Sequence, residues 1–367
     1  MYTVKTMTQA IEQMAPLAWQ ESYDNSGLQV GDPHMDVKGV LLCLDITEAI
    51  IEEALAKNCN LIIAHHPLLF SGLKSITGST YVERIVMKAL QHNIALYAAH
   101  TNLDNWKQGV NAKIAEKLGL QQTQILAPLS QSLNLLYCYA PAAMVPKIEA
   151  HLFEAGAGQV GNYFNCSFQV EGLGAFQGNE DSSPLIGAAG GPREQVAETR
   201  IEVLVPNHAL SKVLAALRTA HEYEEIAYGI VPLKNKNQDL GAGMIGNLAE
   251  AMPAEAFLKH LKAALPTSCI KYTELLDRPI QRVAVCGGSG SFLLKDAIQA
   301  KADVFITSDF KYHQFFDADK QVVIADIGHY ESEQFTVEIF YSILNEKFPN
   351  FAILYSERNT NPVNYFI

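Results

Sequence analysis

What the chain lacks narrows it first. No apolar run approaches the roughly 18–20 residues that a membrane-spanning helix needs, so no transmembrane segment is expected. Residues Met1 to Met14 are polar and lack the apolar core of a signal peptide, which makes the cytoplasm the expected compartment. Positive charge is in deficit: 27 Lys and Arg face 39 Asp and Glu, a formal net charge of −12. That balance speaks against a nucleic-acid coat or a polybasic membrane anchor, though not against a local pocket for a phosphate. The six cysteines include no C-x-x-C pair, which sets aside a zinc ribbon, and a disulfide framework does not suit a long cytosolic chain. Cys43 and Cys286 lie inside apolar runs and read as buried thiols. There is no G-x-S-x-G nucleophile elbow, no reactive-cysteine signature and no Walker A lysine.

What is present reads as a globular α/β protein. Its 367 residues exceed the roughly 250–300 at which one core stops growing, so two domains are expected. A helix is predicted over 9–18, followed by a glycine-punctuated turn, Tyr23 to Gly31. Buried strands are predicted at 39–45, 61–64 and 94–99, with helices at 47–57, 81–92 and 110–118 between and after them. This alternation implies parallel strands with helical crossovers. The character changes near Pro128. Strands at 134–141, 167–177, 199–206 and 226–233, with helices at 144–156 and 209–221, follow the β-α-β-β-α-β order of a ferredoxin-like module. A polar stretch, 234–239, reads as a linker. The α/β pattern then returns, with a helix at 253–265, a strand at 282–286, a helix through about 301, and strands at 303–309 and 322–328. The expected fold is a discontinuous, two-lobed α/β domain with mostly parallel sheets, 1–127 plus 240–367. The ferredoxin-like α+β insertion, 128–239, interrupts it.

Four apolar runs end in metal-type chemistry. Leu61 to Ala64 runs into His65-His66-Pro67. Ile94 to Ala99 runs into His100-Thr101-Asn102-Leu103-Asp104. Asp303 to Ser308 ends at Asp309, with His313 shortly after, and Val322 to Gly328 ends at His329-Tyr330-Glu331-Ser332-Glu333. Strand ends of open α/β sheets are where ligands bind, and neutral imidazole is the commonest metal-ligating side chain. His329 and Glu333, spaced i,i+4, share one face of a helix. His65, His66, Asp104, His329 and Glu333 are therefore candidate ligands. Three histidines with two carboxylates suit two divalent cations roughly 3.5–4 Å apart better than one tetrahedral ion. Zn, Fe, Mn, Co and Ni all suit such donors. His100 and His313 are candidate proton carriers, and Asp45 and Asp309 are expected behind the ligands or facing a substrate. The turn Gly287-Gly288-Ser289-Gly290 lies between a strand and a helix and is either a tight turn or an anion contact.

The segments Asp24 to Gly31, Ala64 to Pro67, His100 to Asp104 and Gly328 to Glu333 together resemble the Nif-three-like dinuclear metal-centre family, also called GTP cyclohydrolase I type 2 homologues. The resemblance covers both outer segments in order, and the middle segment is similar to the PII/CutA group of trimeric ferredoxin-like modules. It implies a dinuclear site with His65, His66, Asp104, His329 and Glu333 as ligands, Glu333 bridging, in a toroidal homohexamer. Ser308 stands where that family usually has glycine, which bears on the turn that sets Asp309. The activity expected is hydrolysis by metal-activated water, either of a purine ring, with attack at C8 and loss of formate, or of a nucleotide or other small phosphorylated substrate. The alternative is a non-catalytic metal-binding regulatory or scaffold hexamer. Labile coordination positions would mark the enzyme and a closed sphere the scaffold.

Overall fold

The computed structural model describes residues 2–366. They fall into two compact units, 2–128 with 239–366, and 129–238. No helix among the described residues is long and apolar enough to cross a membrane.

The larger unit contains two sheets. In the first, the order is Gly27–Val30, Ala95–Ala98, Leu61–Ala64, Val40–Cys43, Ile353–Tyr355. All neighbours run parallel except the first pair. In the second, the order is Lys271–Tyr272, Val323–Asp326, Val304–Ser308, Ile280–Ser289, Lys236–Met252, Gln121–Ser130. Its strands Val323–Asp326, Val304–Ser308 and Ile280–Ser289 are mutually parallel. Lys271–Tyr272 pairs antiparallel with Val323–Asp326 and Lys236–Met252 antiparallel with Ile280–Ser289, so the first sheet is mostly parallel and the second mixed.

Side chains alternate along the strands and divide the core. Val40, Leu42, Leu61 and Ile63 of the first sheet share one cluster with Val283, Val285, Val304 and Ile306 of the second. The helices Val4–Met14, Val110–Lys117, Ala254–Ala264 and Thr336–Lys347 contribute to the same cluster. The opposite face of the first sheet, with Leu41 and Ile62, packs on helices Glu48–Ala56 and Tyr81–Gln91. The opposite face of the second carries Ala284, Phe305 and Ile324. Both sheets are thus covered on both sides, which is why their central strands read as continuous apolar runs.

Two local differences from the sequence reading have plain causes. The first helix is Val4–Met14 rather than 9–18: Thr3 caps its start by accepting from the Thr6 amide, and Pro16 prevents extension. The presumed linker 234–239 instead enters the strand Lys236–Met252, whose glycines disguise it. At Gly246 a Cβ would come within 2.9 Å of Thr123 Cγ2 on the adjoining strand.

Parallel strands deliver their C-terminal ends to one edge. In the first sheet that edge carries Asp45, His65, His66 and His100; in the second it carries Gly287 to Gly290, Asp309 and His329.

The smaller unit is a four-stranded antiparallel sheet, ordered Phe168–Phe176, Glu194–Pro206, Leu133–Ala140, Tyr228–Leu233. Helices Val145–Glu154 and Leu210–Ala220 complete the β-α-β-β-α-β order of a ferredoxin-like unit. Its core, including Leu136, Ile148, Leu152, Val203 and Leu217, is separate from the others. Leu152→Ala should therefore cost this unit about 2–5 kcal/mol. The expected outcome in urea, followed by circular dichroism, is an earlier transition for this unit with the larger unit's transition unmoved. One transition shifting as a whole would show that the two cores unfold together.

Candidate metal centre

His65, fully buried at the end of Leu61–Ala64, places Nδ1 2.9 Å from the Ala99 carbonyl. The carbonyl can only accept, so the ring proton sits on Nδ1 and Nε2 carries a lone pair. That Nε2 lies 3.6 Å from Asp104 Oδ1 and 3.6 Å from Glu333 Oε1. His66 directs Nδ1 to Asp45 Oδ1 at 2.7 Å, and its Nε2 sits 2.9 Å from Glu333 Oε2. His329 directs Nδ1 to Asp309 Oδ2 at 2.6 Å, and its Nε2 lies 3.2 Å from Glu333 Oε2 and 3.3 Å from His66 Nε2. Each oxygen of Glu333 thus belongs to a different set: His65 with Asp104, and His66 with His329. Both sets are compact enough to hold an ion.

The donor atoms fit cations on two counts. His65 Nε2 and Asp104 Oδ1 are buried without a hydrogen-bond partner, a costly state that a cation between them relieves. His66 and His329 both commit Nδ1 to carboxylates, so as neutral rings they would turn two lone pairs toward each other at 3.3 Å. A cation or protons must separate them. Without a cation the protons stay: burial pulls the His66 pKa down, but hydrogen bonds to Asp45 and Glu333 carry it to about 9. The same opposition, with Asp309 and Glu333 as partners, carries His329 to about 11. Burial, and next the Glu333 charge, lift Asp104 to about 7. Burial would raise Glu333 too, but the surrounding imidazoles hold it far below the usual carboxylate range.

A surrounding set of polar groups fixes these positions. Asp24 accepts from His100 Nδ1 at 2.8 Å and from the Thr101 amide at 3.0 Å, anchoring the short helix Thr101–Asp104. Its hydrogen bonds to His100 and Thr101 outweigh burial and depress its pKa. Asn111 donates to the Asp104 carbonyl at 3.0 Å and accepts from the Gly287 amide at 3.0 Å, joining the two sheets' loops. Asp326, 1% exposed, accepts from the amides of Phe310 and Gly328 at 3.2 Å each and pairs with Lys271 at 2.8 Å. It ties the loop of Asp309 to that of His329. One ring nitrogen of His100 lies within 4.8 Å of ligand nitrogens of His65 and His66.

The structure brings together His65, His66, Asp104, His329 and Glu333, with Asp45 and Asp309 orienting imidazoles and His100 adjoining. Two expectations require correction. His313 is exposed in the 3-10 segment Tyr312–Ala318, its ring against Tyr312, and belongs to none of the metal-type clusters among the described residues. The turn Gly287 to Gly290 does not offer its first amides to an anion: Gly287 donates to Asn111 and Gly288 to Ser332 Oγ at 2.9 Å. Its role is close approach. A Cβ on Gly288, whose φ is +59°, would stand 2.4 Å from Glu333 Oε1. Ser308 donates to the Gly288 carbonyl at 2.6 Å, and Asp309, at φ 59°, still reaches His329. Asp24, Asn111, Asp326 and Ser332 carry no sequence signal that marks them as site residues; no periodicity marks a short polar side chain whose partners are backbone amides of distant loops.

Gly288→Ala should push Glu333 aside. The expected result is a clear loss of bound metal by elemental mass spectrometry with the far-ultraviolet circular dichroism unchanged. Full metal retention would mean that Glu333 does not need this clearance.

The chain resembles known proteins over nearly its whole length. Residues 2–362 match the family model described as Duf34/NIF3 (NGG1p interacting factor 3). The chain is 37% identical over 366 residues to a GTP cyclohydrolase 1 type 2 homolog of Halalkalibacterium halodurans, covering 98% of each. It is 36% identical over 362 residues to a protein of the same name from Bacillus subtilis, covering 97% of each. A crystal structure of a Bacillus cereus protein related to NIF3 superposes with a TM-score of 0.85 at 36% identity, covering 100% of this chain and 99% of that one. With both sheets, the inserted segment and the strand-end residues inside these matches, the chain belongs to the DUF34/NIF3 family.

Proposed function

We propose that the chain is a hydrolase dependent on two divalent cations, one held by His65, Asp104 and Glu333, the other by His66, His329 and Glu333. The observation that carries this reading is the Glu333 carboxylate, 3% exposed, with one oxygen turned to each set. Each set supplies three protein donors, fewer than the four that close a structural zinc site. Positions left open to solvent or substrate favour an enzyme over a scaffold. Divalent cations held in this way activate water near neutral pH and offset negative charge developing on the reacting group.

The chain's own residues supply the rest. Asp45 and Asp309 keep the Nδ1 protons of His66 and His329 in place, so that Nε2 is the donor atom in each. His100, with Nδ1 committed to Asp24, has Nε2 available to take a proton from attacking water and return it to a leaving group. The name shared by the curated relatives points to a purine nucleotide, with one water adding at C8 to open the ring to a formamide and a second water hydrolysing that formamide to release formate. A phosphoester of a nucleotide or other small phosphorylated molecule would use the same groups. The donor set suits Zn, Fe, Mn, Co or Ni. A cytoplasmic homohexamer completes the reading, with light scattering as its check.

Glu333→Ala should lower the metal bound from about two ions per chain to less than one, and abolish turnover of GTP and of phosphoesters. Turnover that survives complete chelation in the wild-type protein would sink the hydrolase reading. The raised pKa values of His66, about 9, and His329, about 11, mean that both rings hold protons at pH 7 and must lose them to bind a cation. Metal uptake at pH 7 should therefore release about two protons per chain from His66 and His329 and a further fraction from Asp104, whose pKa is about 7, and should tighten as pH rises toward 9. Calorimetry in buffers of different ionisation enthalpy measures this; uptake without proton release would remove His66 and His329 from the ligand set.

A further inference from the structure

Two side chains at the rim of the centre take no part in holding cations. The rings of Tyr23 and Phe70 stand with centroids 6.4 Å apart and planes inclined at 47°. Both are largely in solvent, 64% and 52% exposed. A single exposed aromatic is ordinary, but a converging pair beside a reactive centre is not explained by packing. The pair is continuous with that centre. Phe70 meets the ring of His100 edge-on at 6.3 Å, and His100 meets His65 at 5.3 Å. Burial, and then the charges of Glu21, Asp24 and Asp104, raise the pKa of Tyr23, which places its hydroxyl within the field of a candidate ligand.

Phe70 borders a cleft of about 720 Å³, walled by Val30, Leu69, Leu73, Ile76 and Val86, with Asp24, next to Tyr23 in the chain, at its edge. That is within the range of small-molecule sites, roughly 300–1,000 Å³. Its wall is fixed in advance. Gln29 Oε1 accepts from the Leu69 amide at 2.9 Å, Gln29 Nε2 donates to the Asn25 carbonyl at 2.7 Å, and Asn25 Nδ2 donates to the Leu69 carbonyl. These bonds clamp the segment of Tyr23 to that of Phe70. Flat π-faces, an apolar wall and amide-bearing residues at the edge suit a planar heterocycle with polar edges better than an alkyl chain.

The geometry points to a stacking site: Tyr23 and Phe70 bind the aromatic heterocycle of the substrate, a nucleobase or a ring of that kind, beside His100. This rests on the hydrolase reading only for the identity of the group that reacts; the stacking is a separate claim about binding.

The test is isothermal titration of guanosine, and of ribose as the same sugar without the base, into the metal-loaded full chain. Wild type is compared with Tyr23→Ala, Phe70→Ala and the conservative Phe70→Tyr, with metal content confirming that each variant is folded. Guanosine should bind measurably better than ribose. Each alanine variant should weaken guanosine roughly tenfold or more while leaving ribose unchanged, and Phe70→Tyr should retain the affinity. Guanosine binding no better than ribose, or unchanged in both alanine variants, overturns the stacking site. Turnover by wild type with no preference for the base would reject the stacking site and leave the hydrolase standing. Base-dependent binding lost in the alanine variants, with no turnover by wild type, would uphold the site and reject the hydrolase.

Discussion

A carboxylate that is 3% exposed, as Glu333 is, has to be met by positive charge, because an isolated buried anion is prohibitively costly. Three imidazoles surround it, and none has a spare acceptor to trade. His65 gives its Nδ1 proton to a backbone carbonyl, while His66 and His329 give theirs to Asp45 and Asp309. The nitrogens facing Glu333 are therefore lone pairs awaiting either a proton or a metal. Everything else in the larger unit serves to assemble this one concentration of donors. Neither half of it is stable alone: the imidazoles need the carboxylate, and the carboxylate needs whatever the imidazoles hold.

The chain solves this with distant parts of its length. His66 and Glu333 are 267 residues apart, on different sheets, and 2.9 Å apart in space. Parallel strands make that possible, since each sheet sends its C-terminal ends to one edge and the shared core of helices and strands fixes the two edges face to face. The antiparallel strands of the second sheet, Lys271–Tyr272 and Lys236–Met252, lie outside its central trio and leave that edge undisturbed. Polar clamps then complete the register. Asn111 spans from Asp104 to Gly287, and Asp326 from Phe310 to Gly328. They are bonds from side chains to backbone, so they set the loops' relative position without consuming the donors gathered around Glu333.

This division explains what could be read from the sequence. The five candidate ligands and Asp45, Asp309 and His100 were legible because imidazole and carboxylate at the end of an apolar run is a local signal, repeated at strand after strand. Asp24, Asn111 and Asp326 were not, because their significance lies in which distant amide each one meets. Gly287 to Gly290 was ambiguous for a related reason. A glycine turn between strand and helix serves equally as an anion nest or as a place where another group comes close, and only the destination of its amides separates the two. Here Asn111 and Ser332 take them. His313 followed the same strand-end logic as His329 but falls in a 3-10 segment whose ring packs outward on Tyr312.

The positions of the aromatic pair give the site a further coherence. Tyr23 precedes Asp24, which orients His100, and Phe70 follows His65 and His66 by a short loop. The groups assigned to hold a ring and those assigned to act on it are thus neighbours along the chain as well as in space. A movement of the loop through Leu69 would carry Phe70, and it would be resisted by Gln29 and Asn25, which clamp that loop to the segment bearing Tyr23 and Asp24. On the stacking reading, binding energy gained on the rings would be delivered to a frame clamped by hydrogen bonds to the segment that orients His100. That is the condition for spending it on orienting the reacting group rather than on ordering the protein.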